Sequence, residues 1–133
     1  MQRAILVLSL LVTACSGSAE QKATRGYGFH MNPDPVIDGR ISNVTVGPVA
    51  CWSHAREGTR DQQMKSGYRL LFLNGRQLAH VSEGEYRLTN AIVQKGEQPI
   101  IVTFERYDIE RREMIQIERT IESREVPSTP TTC

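Results

Sequence analysis

The 133-residue chain has no large surplus of either charge, 16 Lys and Arg against 15 Asp and Glu giving a net charge of +1. Nucleic acid and anionic membrane faces both ask for a clustered basic patch, so neither is expected as the main partner. Long apolar runs are missing as well. The longest, Ala4 to Val12, has nine residues interrupted by Ser9, whereas a membrane-spanning helix needs about 20. No segment carries an apolar stripe at helical spacing over three turns, which excludes a helical bundle and leaves strands. No internal repeat and no nucleophile-elbow sequence are present, so covalent catalysis by an activated serine has no local support.

What is present begins at the N-terminus. Arg3 followed by the apolar run forms the charged and hydrophobic regions of an export signal. The run closes on Leu11-Val12-Thr13-Ala14-Cys15, small residues leading directly to a cysteine. This pattern resembles the lipobox of bacterial lipoproteins. The resemblance implies removal of residues 1–14, a diacylglycerol thioether on Cys15, and acylation of the freed amine. One acyl chain holds marginally and two or more hold stably, so such a Cys15 would anchor the protein to a membrane. Ser16 in place of an aspartate after the cysteine implies, by the sorting pattern of these lipoproteins, the outer membrane of a double-membraned cell, with the domain in the periplasm or at the cell surface. The other reading of the same residues is an ordinary signal peptide, with Thr13-Ala14 or Ser18-Ala19 near the cleavage site.

Loss of 14 residues from 133 would leave 119, enough for one domain with its own core. With Cys15 lipidated, Cys51 and Cys133 remain in a disulfide-permissive compartment and are natural partners. The alternative is a buried Cys51 thiol and an exposed Cys133. Residues 15–35 are small and polar, broken by Gly26, Gly28, Pro33 and Pro35, and read as a flexible tether. Tyr27, Phe29 and Met31 alternate within it, which leaves open an edge strand there. Residues 36–126 are expected to form the domain and 127–133 a C-terminal tail.

In the domain apolar residues recur at every second position. Val44, Val46, Ala50 and Trp52 share one parity, with Pro48 marking an edge or bulge between them. Tyr68 to Leu73 reads as a central strand, followed by an Asn74-Gly75 turn of the primed hairpin type and a returning strand over 77–81. Residues 85–88 and 91–93 are read as further short strands. Ile100 to Glu105 is the strongest strand, and residues 115–121 form another, with Arg119 marking an edge. About seven short strands predict an all-β fold, a single β-sandwich. The stretch from Tyr68 to Asn90 resembles the rhythm of immunoglobulin-like modules in bacterial envelope proteins, although Cys51-Trp52 departs from the antibody spacing, where the Trp lies on the following strand.

Candidate chemistry is sparse. Cys51, His54, His30 and His80 are metal-ligating residue types, but one close pair and two isolated histidines do not make two spaced pairs, and neither metal nor cofactor is expected. Glu83 with Glu85, and Asp108 with Glu110, fall where solvated turns are expected, and no enzyme activity is inferred. The long polar segment 53–67 stands out, because connections of that length are usually functional or disordered. Arg56, Arg60, Asp61 and Lys65 within it are the candidate binding residues. The mixed-sign segment 105–113 predicts a salt-bridged hairpin tip. These features suggest a non-catalytic module that binds another envelope protein, with inhibition of a hydrolase through residues 53–67 as the alternative and metal handling a more distant one.

Overall fold

In a computed structural model of the protein, residues 25–127 are described. The elements run β1 (Arg25–Gly26), β2 (Phe29–Pro33), β3 (Arg40–Ile41), β4 (Val44–Val49), β5 (Arg69–Leu73), β6 (Arg76–Gln77), β7 (Val81–Ser82), α1 (Glu83–Lys95), β8 (Ile100–Asp108), β9 (Glu113–Ile121) and β10 (Arg124–Glu125). The main sheet is antiparallel, in the order β2-β4-β5-β8-β9, with β6 hairpinned onto β5. Two short ladders, β1 with β10 and β3 with β7, stand beside it. The fold is mostly β, as the alternation predicts.

Arg69–Leu73 is central, with β4 on one side and β8 on the other. Asn74 and Gly75 both take positive φ, 52° and 79°, the two-residue geometry whose twist suits a hairpin. Asn74 also exchanges hydrogen bonds with Ile101, its amide donating to the Ile101 carbonyl and its Oδ1 accepting from the Ile101 amide, each at 2.8 Å. The returning strand is shorter than expected. Only Arg76–Gln77 pairs with β5, while Val81–Ser82 turns away to pair with β3. Pro48 sits at a bulge: Phe29 opposes Val49 and Met31 opposes Val46, so β4 carries one residue more than β2 over that interval.

Three expectations are corrected. Residues 85–88 and 91–93 are not strands but parts of one helix, Glu83–Lys95. Ser82 caps it, its hydroxyl accepting from the Glu85 amide at 3.1 Å while Glu85 Oε1 accepts from the Ser82 amide at 3.1 Å, a reciprocal box that satisfies two otherwise unpaired donors. Gly96 at φ 61° ends it. The inward face is Tyr86, Thr89 and Val93, and the threonine at its centre hides the stripe from a count of apolar residues. Secondly, the described residues form ten strands and one α-helix where about seven strands and no helix were expected. Helix α1 contributes Tyr86 and Val93 to the same core as Leu70, Leu73, Ile100, Val102 and Phe104 of β5 and β8. Thirdly, the stretch expected as tether up to residue 35 is strand from Arg25, and Tyr27, Phe29 and Met31 are buried. Their alternation was a strand signal. Residues 1–24, including Cys15 and the signal segment, lie outside the described residues, as do residues 128–133 of the tail.

The cap has a measurable consequence. Ser82→Ala is expected to cost about 1 kcal/mol in urea unfolding at neutral pH. The hydrogen bonds from Ser82 hold the Glu85 carboxyl below its ordinary value. A depressed carboxyl contributes stability above its unfolded pKa and loses it as pH falls through the folded value, so the gap between wild type and variant should narrow below about pH 4. The variant keeps the residue-82 amide that Glu85 Oε1 accepts from and loses the hydroxyl 3.2 Å from the same oxygen, so a gap that stays constant down to pH 3 would show that the hydroxyl does not act through the carboxylate.

Candidate functional site

The segment 53–67 leaves β4 and lies over the inner side of the β8–β9 hairpin. Its start is fixed by a close approach of two backbones. Gly28 takes φ +79°, and a Cβ there would lie 2.1 Å from Ser53 Cβ, so no larger residue fits. Ser53 is buried. Its hydroxyl donates to the Tyr27 carbonyl at 2.5 Å and accepts from the Ala55 amide at 3.1 Å, which caps a short 3-10 turn over His54–Arg56. Ala55 and Met64 are the buried residues that seat the segment, and the Met64 amide donates to the Ala55 carbonyl at 2.8 Å.

Arg119 holds the segment from below. Nη1 donates to the carbonyls of Ala55, Glu57 and Gln62 at 3.0, 3.2 and 2.5 Å, and Nη2 donates to that of His54 at 2.5 Å. One planar guanidinium thus gathers four carbonyls, of which those of His54 and Ala55 also accept from the Glu57 and Met64 amides. Burial among them pushes the Arg119 pKa down, opposed by the nearby Glu57 carboxylate. His54 Nε2 lies 3.1 Å from both the amide nitrogen and the carbonyl oxygen of Glu122, and Arg124 Nη1 donates to the Trp52 carbonyl at 2.9 Å. The 15-residue polar segment is therefore tied to the β8–β9 hairpin and its flank by side-chain hydrogen bonds. The signal that could have disclosed this was the parity of Ile115, Ile117, Arg119 and Ile121, which puts an arginine on the inward face of β9. The edge position inferred from it is observed, since β9 ends the main sheet; its role as a clamp was missed.

The four candidate binding residues divide into two pairs. Arg60 Nη1 meets Glu110 Oε2 at 3.3 Å, and Asp61 pairs with the buried Arg106. Both contacts stitch residues 53–67 to the hairpin, so Arg60 and Asp61 serve the domain itself. Arg56 and Lys65 are exposed and line a depression of about 380 Å3 with Val49, Gln63, Met64 and Ser66. Among the described residues neither cation makes an ion pair or a side-chain hydrogen bond. The result is a positive, partly apolar hollow on a rigid support, suited to a carboxylate attached to an apolar body.

The hairpin tip is charged and folded as expected. Asp108 accepts from the amides of Glu110 and Arg111 at 3.0 and 3.4 Å and meets Arg111 Nε at 3.5 Å. Exposed Tyr107, Ile109 and Met114 surround it. Glu83 and Glu85, expected in a turn, instead open helix α1, where Glu83 pairs with Arg87 at 2.7 Å. No group of three His, Cys, Asp or Glu side chains is placed to hold a metal among the described residues. No helix among them is long and apolar enough to cross a membrane. Comparison of the chain with protein families, characterised proteins and solved structures finds no match.

Proposed function

We propose that the protein is an outer-membrane-anchored envelope lipoprotein, lipidated at Cys15, whose domain binds another envelope protein without catalysis. The observation that carries the binding reading is the pair Arg56 and Lys65, two cations without acidic partners among the described residues, over a floor of Val49 and Met64 on a segment fixed by Arg119. Unpaired cations on a preorganised surface favour an acidic partner and lose little entropy on contact. Cys51 and Cys133 form the intramolecular bridge expected of an exported protein with two remaining cysteines. It closes a loop of about 80 residues and stabilises the fold by about 4 kcal/mol in the chain-entropy account.

The test uses lipidated protein extracted with mild detergent from cells fed labelled palmitate. The label should enter the wild type and be absent from Cys15→Ser. A stoichiometric acidic partner should co-purify, and its recovery should fall about tenfold or more in the double variant Arg56→Glu, Lys65→Glu. A clean monomer from the wild type, or equal recovery with the variant, overturns the reading. A second reading, inhibition of a hydrolase, is favoured by the rigidity of residues 53–67. A hydrolase recovered as the partner, inactive while bound, would decide for it.

A further inference from the structure

A polar depression of about 350 Å3 lies at the N-terminal end of α1, where Arg40 of β3, Arg76 and Gln77 of β6, His80 and Glu85 converge. The buried Val81 and Thr89 complete its lining. Four separate stretches of chain thus meet at one opening, which is large enough for a small ligand. Among the described residues the Arg76 guanidinium and the His80 ring make no hydrogen bond or ion pair.

We infer that this depression binds the phosphate monoester of a small polyol or sugar, with the phosphoryl group held by Arg40, Arg76 and His80. The inference stands apart from the hollow at Arg56 and Lys65 and does not depend on it.

The backbone brings three donor groups to the same place. Arg40 stands opposite Ser82, the N-cap of α1, in the β3–β7 ladder. Its Nη2 donates to the His80 carbonyl at 2.5 Å, which positions the guanidinium while Nε and Nη1 keep no partner among the described residues. His80 takes φ 57°, a conformation that histidine adopts more readily than most residues, and its amide donates to the Ser42 carbonyl at 3.1 Å. Arg76 is set by its pairing with Leu73 in the β5–β6 hairpin. The Glu83 and Glu85 amides of the first helical turn are already taken, by the Gly39 carbonyl and the Ser82 hydroxyl. The helix therefore adds the positive field of its N-terminus, and the side chains supply the donors.

The number of donors selects the ligand. One arginine fork satisfies a carboxylate, whereas two guanidinium groups and an imidazole suit the three terminal oxygens of a phosphoryl group that carries close to two negative charges. Arg40 and Arg76 bring the two positive charges that meet it. Glu85 is the one acid of the lining, and its Oε1 is engaged by the Ser82 amide and hydroxyl at 3.1 and 3.2 Å. Glu85 Oε2 and Gln77 Oε1 have no partner among the described residues, and they are acceptors for hydroxyl groups beside the phosphate. The place of the depression favours a dissolved ligand over a lipid headgroup. Helix α1 has 13 residues, a length of about 20 Å, and Gly96 at its other end lies against Arg25. An anchor reached through Arg25 therefore attaches about a helix length from the depression.

Titration calorimetry on the full chain in mild detergent tests the site with glycerol phosphate, inorganic phosphate and glycerol. Flotation with phosphatidylcholine vesicles containing phosphatidic acid tests the membrane source of the same group. Both phosphates should bind and glycerol should not. Arg76→Ala should weaken binding of glycerol phosphate at least tenfold with an unchanged melting temperature, since Arg76 makes no side-chain contact to lose. His80→Asn keeps a residue suited to positive φ and should weaken binding severalfold. Flotation that depends on Arg76, without binding of glycerol phosphate, would support the phosphate site and move its source to a lipid headgroup. Absence of binding by either phosphate at millimolar concentration together with absence of flotation overturns the inference, as does binding that Arg76→Ala leaves unchanged or that glycerol matches. A loss confined to the double variant Arg56→Glu, Lys65→Glu would place the phosphate in the other hollow and overturn it as well.

Discussion

Replacing Arg119 by alanine is expected to destabilise the domain by about 2 to 4 kcal/mol and to loosen residues 53–64 before the rest unfolds. A hydrogen bond from a charged group contributes about 1.5 to 3 kcal/mol net, and Arg119 makes four. The sum is not taken, because the bonds share one side chain and part of it faces solvent. The loss falls hardest on the Glu57 and Gln62 carbonyls, since those of His54 and Ala55 keep the Glu57 and Met64 amides as donors. Two measurements check this. Urea unfolding gives the total, and amide exchange should show Arg56 and Met64 losing protection, since they donate to the Ser53 and Ala55 carbonyls at 3.1 and 2.8 Å. Arg119→Lys keeps the charge but replaces a planar fork by a compact ammonium, so it should recover less than half of the loss. If the alanine variant unfolds within 0.5 kcal/mol of the wild type, the clamp is not what orders this segment. The partner binding proposed for Arg56 and Lys65 should, if it occurs, weaken in parallel, because a mobile support adds an ordering cost to contact.

Phe104→Ala is expected to be costlier still, about 3 to 5 kcal/mol. Phe104 is fully buried in β8, opposite Leu70 of β5 and Ile117 of β9. Its ring stacks on Tyr68 with centroids 5.7 Å apart and planes 14° from parallel. Truncation removes that contact and leaves a void bounded by strands on both sides, which have little freedom to close over it. The stability of a domain of this size is about 5 to 15 kcal/mol, so the variant sits near the edge of folding and its urea midpoint should fall sharply. Phe104→Leu keeps most of the volume and should lose about half as much. A loss below 1.5 kcal/mol for alanine would mean that Phe104 is not at the centre of the core.

The strands of the main sheet were legible because alternation is an honest report of which side of a strand is buried. Ile100, Val102 and Phe104 are all fully buried while Ile101 is exposed, and Asn74-Gly75 left its turn in plain view. Helix α1 was illegible for a definite reason. Tyr86 and Leu88 alternate like strand residues, yet Leu88 is 64% exposed, and the true inward face runs through Thr89. The decisive sign was local hydrogen-bonding chemistry, Ser82 followed three residues later by Glu85, and not hydrophobicity. The start of the domain was misplaced because Gly26, Gly28 and Pro33 were weighed above the alternation of Tyr27, Phe29 and Met31; Gly28 is there to let Ser53 approach. At the candidate site the residue types were visible but not their employment. Nothing in the order of Arg56, Arg60, Asp61 and Lys65 says which two the hairpin consumes, since Arg106 and Glu110 are more than 40 positions away.

The two rungs that join β1 to β10, Arg25 with Glu125 and Gly26 with Arg124, bring the first and last strands of the domain to a single spot. Its entry and exit share one pole, and β8 carries the chain away from that pole over nine residues, about 30 Å at the rise of a strand. Only nine residues lie between Cys15 and Arg25, a leash of at most about 35 Å. If Cys15 is fastened to lipid, the hairpin tip has a ceiling of about 65 Å above the bilayer, and whatever meets it must come within that altitude.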